Sequence, residues 1–144
     1  LLGKQMNRLL QGDVGSGKTI VATIAAVVAI ENGFQACIMA PTEILAEQHY
    51  LKISSLCEQI GIKTGWLSGS QTKKQKQETY SAIAAGAIQL IVGTHAVFQK
   101  DVEFHNLGLA VIDEQHRFGV EQRLALINKN ANNLHPHQLM MSAT

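Results

Sequence analysis

The sequence predicts an α/β domain: three α/β/α layers around a mostly parallel sheet. Three observations carry this. Apolar runs of strand length alternate with helical stretches along the whole chain, the order that parallel sheets require. The runs "QACIMAP", "IQLIVGTH" and "LGLAVIDE" are apolar continuously rather than at every second residue, as in strands buried on both faces. Finally, 144 residues form one domain's worth of chain, and an apolar fraction of 46% against 16% charged residues suits a sheet covered on both sides.

The elements follow in order. "NRLLQG" is a short strand, and "TIVATIAAVVAIENG" an Ala-rich helix stopped by Asn32-Gly33. "QACIMAP" is the next strand, ended by Pro41. Thr42 opens a helix whose apolar face is expected to be Leu45, Ile53, Leu56 and Ile60, running to Gly61. "KTGWLSG" reads as a strand with a glycine exit. Thr72 with Gln75 fits a capping box for a helix ending at Ala85-Gly86. "IQLIVGTH", "LGLAVIDE" and "HQLMMSAT" are three further strands, with a helix from about Val120 to Asn128 between the last two.

Composition narrows the function classes. A net charge of +1 gives no global field for a polyanion, so any nucleic-acid contact is local. Cys37 and Cys57 stand alone, without a CxxC pair, and read as reduced thiols of a cytosolic protein. The apolar run Ile20 to Ile30 is about half of the roughly 20 residues that span a bilayer, so it reads as a buried helix and no membrane partner is expected. The chain starts at Leu1 without a methionine and stops at "MMSAT" directly after an apolar run. Residues 1–144 are therefore expected to be a single domain cut from a longer chain.

Two motifs carry chemistry. "GDVGSGKT", residues 12–19, lies between an expected strand and an expected helix, the setting of a phosphate-binding loop. There Gly12, Asp13, Val14, Gly15, Ser16 and Gly17 would turn backbone N–H groups toward phosphate oxygens, aided by the helix N-terminus. Lys18 would neutralise the β- and γ-phosphates, and the Thr19 hydroxyl would ligate Mg²⁺. The second motif, "VIDEQH", ends a buried strand in acids. A phosphate loop needs a carboxylate on a neighbouring strand end to hold the metal, and Asp113 is in that setting. Glu114 would then orient and deprotonate the attacking water, the role that marks hydrolysis. ATP and Mg²⁺ are the cofactors expected.

With "GDVGSGKT", "APTEILAEQH", "IVGTHAVFQ", "IDEQHRFGVEQR" and "HPHQLMMSAT" together, the sequence resembles the first RecA-like motor domain of superfamily 2 helicases of the Asp-Glu-x-His type, and within them most the RecG family of branched-DNA helicases. The resemblance spans about residues 7–144. It implies an ATP-dependent DNA helicase that remodels forks and junctions, in the cytoplasm of a bacterium at the nucleoid. It implies that Gln115 and His116 sit near the γ-phosphate, His116 joining Lys18, Asp113 and Glu114 in the catalytic group. Ser142, Ala143 and Thr144 would relay phosphate loss toward the DNA. Pro41, Thr42, Glu43, Gly93, Thr94 and His95 would lie along the DNA face. The "SAT" strand would lie between the strands leading to the phosphate loop and to "DEQH". A second RecA-like domain with its arginine finger and a wedge domain for fork recognition would be partners on the same chain.

Alternatives are weaker. The transcription–repair coupling translocases share "GDVG", "GTH" and "HRFG" but usually carry Asp-Glu-Glu-His, against Gln115 here. A guanine-nucleotide switch would need Asn-Lys-x-Asp, and "NKNA" lacks the final acid. A relic without nucleotide binding would not keep Lys18, Thr19, Asp113 and Glu114. His135 and His137 lack a third ligand for zinc and read as the approach to a strand. His105 reads as an exposed loop residue, Lys73, Lys74 and Lys76 as a solvated helix face, and Trp66 and Tyr50 as packing aromatics. Arg117 and Phe118, directly after the acids, suit the interface to the second motor domain.

Overall fold

A computed structural model describes residues 17–99, 101–113 and 137–141. Its elements are α1 (Gly17–Glu31), β1 (Gln35–Met39), α2 (Glu43–Gln59), β2 (Thr64–Leu67), α3 (Lys73–Ala84), β3 (Leu90–Gly93), a 3₁₀ turn (His95–Phe98), β4 (Leu107–Asp113) and β5 (His137–Met141). The expected strand over residues 7–12 and helix over 120–128 lie outside the described residues. The five strands form one sheet in the order β2-β3-β1-β4-β5. Every pairing in it is parallel.

Two apolar clusters make the three layers. On one face Ala36, Ile38, Leu90, Val92, Leu109 and Val111 meet Ala22, Ala25, Ala26 and Ile30 of α1 and Ile53 and Cys57 of α2. On the other, Cys37, Met39, Leu67, Ile91, Ala110 and Ile112 meet Ile83 of α3, Ala96 and Val97 of the 3₁₀ turn, and Phe104. Successive strand residues belong to opposite clusters, which is why these strands carry no polar alternation. The two cysteines form no disulfide; both are buried, on opposite faces of the sheet. Burial pushes the Cys57 thiol up, against a smaller lowering by Thr64, and so keeps it protonated and inert.

Local signals work as physics requires. Asn32-Gly33 closes α1 with a Schellman pair: Gly33 N–H donates to the Ile30 carbonyl at 3.0 Å and Phe34 N–H to that of Ala29 at 3.0 Å. Gly33 takes φ 91° to do so, a backbone open to glycine at little cost. The capping box is present, with Thr72 Oγ1 accepting from Gln75 N–H at 3.2 Å and Gln75 Oε1 from Thr72 N–H at 3.0 Å.

Two expectations are corrected. The buried face of α2 is Ala46, Ile53 and Cys57, with Tyr50 packed beside them, while Leu56 and Ile60 are 46% and 58% exposed. The spacing 46, 50, 53, 57 is one clean helical stripe, and its small residues let α2 lie close to the sheet. Large side chains in the sequence masked it. α1 is likewise buried on one side only: its alanines meet the sheet, whereas Ile20 and Ile24 are more than half exposed. A helix flanking a sheet offers it a single stripe. No helix among the described residues is long and apolar enough to cross a membrane.

One buried polar side chain ties the far end of the sheet. Gln35 Nε2 donates to the carbonyls of Ile83 at 2.9 Å and Ile88 at 2.8 Å, and its Oε1 accepts from Asn106 N–H at 2.8 Å. It thereby joins the end of α3 to the approach of β4. Gln35→Leu leaves the Ile88 carbonyl without its side-chain donor and the Asn106 N–H without its side-chain acceptor, while the Ile83 carbonyl keeps Gly86 N–H at 3.1 Å. At about 1 to 3 kcal/mol for each of the two groups, the expected cost is about 2 to 6 kcal/mol. Urea unfolding checks this: the midpoint should fall with an unchanged m-value, and an unchanged midpoint would contradict the staple.

Candidate ATP site and nucleic-acid rim

Parallel strands bring all their following loops to one edge, and the register shows which residues share it. Leu67 pairs with Gly93, Gly93 with Met39, Met39 with Ile112, and Ile112 with Met140. The next residue along each strand therefore forms one row: Ser68, Thr94, Ala40, Asp113 and Met141. Adjacent strands stand about 4.8 Å apart, so the row is roughly 19 Å long.

The start of α1 opens on the same rim. Its C-terminal turn leads through Asn32 and Gly33 directly into the N-terminal end of β1, and the helix packs along the sheet. Its first turn, with Gly17, Lys18 and Thr19, must then lie at the opposite, C-terminal edge. There the N-terminal end of its dipole faces the ends of β1 and β4. Asp113 closes β4, and period-two alternation puts position 113 on the face of Leu109 and Val111, which α1 covers. Loop positions Gly12, Asp13, Val14, Gly15 and Ser16 lie outside the described residues, as do Glu114, Gln115, His116, Arg117, Phe118, Ser142, Ala143 and Thr144. Among the described residues no group of three or more His, Cys, Asp or Glu could hold a metal by itself.

The other half of the rim, after β1, β3 and β2, is described in full. Half-buried Pro41 leads to exposed Thr42, whose Oγ1 caps α2 by accepting from Leu45 N–H at 3.2 Å. Gly93 and Thr94 are buried. A Cβ on Gly93 would strike the Leu67 carbonyl, so the close approach of β2 and β3 requires glycine here. Thr94 N–H donates to that carbonyl at 3.2 Å, and its hydroxyl accepts from Ala96 N–H at 3.3 Å. Both residues build the rim from within, and His95 is the one that emerges.

Sequence reasoning overlooked the loop after β2. Ser68 is buried, its Oγ lies 3.1 Å from that of Ser70, and Gln71 clasps the turn by accepting from Ser68 N–H at 2.9 Å. The signal was available, since "LSGS" ends a strand of a parallel sheet and belongs on the site's edge by topology alone. Trp66 and Tyr50 form a tilted pair, ring centroids 5.6 Å apart, as packing aromatics. His105 is exposed in its loop, Lys73 and Lys74 are exposed and Lys76 half-buried, and β5 begins at His137.

Known proteins share this fold and its sequence. The family model for the DEAD/DEAH box helicases matches residues 1–144, the whole chain. The chain belongs to the DEAD/DEAH box helicase family. Among helicases of known sequence, it is 56% identical over 140 residues to the ATP-dependent DNA helicase RecG of Escherichia coli K12, covering 96% of this chain and 20% of that one. It is 53% identical to RecG of Aquifex aeolicus, covering 96% of this chain and 17% of the relative. A solved structure of RecG bound to a three-way DNA junction superposes with a TM-score of 0.79 at 36% identity, covering 99% of this chain and 20% of the other. The helicase Lhr of Mycobacterium smegmatis shares the fold, with a TM-score of 0.67 at 16% identity over 90% of this chain and 17% of that one. The chain thus spans about one fifth of the length of the RecG relatives it matches.

Proposed function

We propose that these residues are the ATP-binding motor domain of a RecG-type helicase, which couples ATP hydrolysis to the remodelling of branched DNA. The observation that carries this is the shared rim: α1 begins, and β4 ends at Asp113, at one edge of one sheet. That placement suits Mg²⁺-ATP, with Lys18 and Thr19 in the first turn of the helix and Asp113 on the neighbouring strand end. Bound there, the metal supplies charge neutralisation at the phosphates. Glu114 directs water at the γ-phosphate, and Gln115 and His116 sense it. β5 pairs with β4 so that Met141 lies opposite Asp113. Ser142, Ala143 and Thr144, the next residues along the chain, are assigned the relay of a change in the phosphates. The β1–β3 half of the rim is the DNA track, where Pro41, Thr42 and His95 meet the backbone and Gly93 and Thr94 hold their loops in place. The remaining four fifths of such a protein supply a second RecA-like domain, whose arginine finger completes the ATP site, and a wedge domain that meets the fork.

The chain by itself tests this division. A finger is worth about 10³ to 10⁵ in rate, so the isolated 144 residues are expected to release almost no phosphate from ATP, with or without forked DNA. A malachite-green assay measures it. Robust, fork-stimulated turnover from these residues alone would show that the catalytic parts are misplaced.

A further inference from the structure

Glu43 is an odd residue to aim at a polyanion, because its carboxylate would repel the phosphates that its neighbours are placed to meet. It already has a protein partner: Ser70 N–H donates to Glu43 Oε1 at 3.2 Å, across 27 positions of sequence. Glu43 follows β1 and Ser70 follows β2, and β3 lies between those strands. The side chain therefore reaches over the end of β3, which closes in glycine and leaves the path clear. Among the described residues β2 is an edge strand whose one strand partner is β3. Within the outgoing loop of β2, Gln71 accepts from Ser68 N–H at 2.9 Å and donates to the Trp66 carbonyl at 3.2 Å, and the Ser68 and Ser70 hydroxyls lie 3.1 Å apart. There Gly69 and Ser70 are exposed, and a Cβ on Gly69 would meet nothing within 4 Å.

We infer that Glu43 is a positioning residue that anchors the Ser68–Gln71 loop to the start of α2, so that Gly69 and Ser70 extend the DNA track from β1 and β3 out to β2. The inference rests on the reading of this rim as the DNA face. What the loop needs from Glu43 is an acceptor for one N–H, not a charge. Glu43→Gln keeps a carbonyl oxygen at that place and removes the repulsion, whereas Glu43→Ala frees the loop.

In the whole protein, the forked-DNA concentration giving half-maximal ATPase is the measurement, with the Michaelis constant for ATP as internal reference. Glu43→Ala is expected to raise the DNA value roughly fivefold to tenfold, the worth of one ordinary exposed hydrogen bond. Glu43→Gln should stay within about twofold of the parent or bind DNA more tightly, since its amide oxygen still accepts. His95→Ala, which removes an exposed side chain of the same rim, reports on the DNA face separately. If His95→Ala weakens DNA dependence and Glu43→Ala does not, the positioning role is overturned while the DNA reading stands. If Glu43→Gln is as weak as Glu43→Ala, the carboxylate charge matters and the role is again overturned. If neither His95→Ala nor Glu43→Ala alters the DNA value, the rim is not the DNA face, and the inference falls with that reading.

Discussion

Lys18→Ala in the whole protein is expected to abolish ATP hydrolysis and leave the fold intact. Position 18 lies in the first turn of α1, where the helix presents its dipole to the rim, and a helix start accepts alanine without loss of propensity. The core stripe of the helix, Ala22, Ala25, Ala26 and Ile30, begins a turn later and is untouched. On the proposed site, what the variant lacks is the positive charge assigned to the β- and γ-phosphates. Removing one electrostatic partner of a developing charge costs about 10² to 10³ in rate, and here ground-state binding of the triphosphate is lost as well. Phosphate release and fluorescent-ATP binding check the two effects, with circular dichroism as the control for folding. Turnover equal to the parent's would remove the site from this rim.

The adjacent acids should separate under mutation. Glu114→Gln is expected to bind Mg²⁺-ATP normally and hydrolyse it roughly 10² to 10⁴ times more slowly, the usual worth of a positioned general base. Asp113→Asn should weaken the part of ATP binding that depends on Mg²⁺, because the neutral amide is a poorer ligand for a hard cation. Titrating ATP with and without Mg²⁺ distinguishes them, and identical behaviour of the two variants would contradict the division of labour. Asp113 is the last residue of β4, and Glu114 follows it in the sequence.

Much of this was legible in the sequence, and particular residues show why. Continuous apolar runs placed β1, β3 and β4 in the interior, and Asn32-Gly33 and Thr72 with Gln75 marked helix ends because each satisfies specific backbone groups. The face of α2 was misread because size was taken for burial: Leu56 and Ile60 are large, yet Ala46 and Cys57 have the spacing that meets the sheet. The Glu43 to Ser70 hydrogen bond and the Gln35 staple were invisible for another reason. They join residues 27 and 48 to 71 positions apart, and only the strand order β2-β3-β1-β4 brings them within reach. Motif spacing reports chemistry along the chain, and topology decides which neutral or acidic side chains then hold it in place.

The most direct measurement is steady-state phosphate release by the whole protein at saturating Mg²⁺-ATP, with a three-way DNA junction, with unbranched duplex and without DNA, for the parent and for Glu114→Gln. The account predicts turnover that rises on the junction well above the duplex in the parent, and that stays near background on all three in Glu114→Gln although ATP is bound. Junction-independent turnover in the parent, or an active Glu114→Gln, would contradict it.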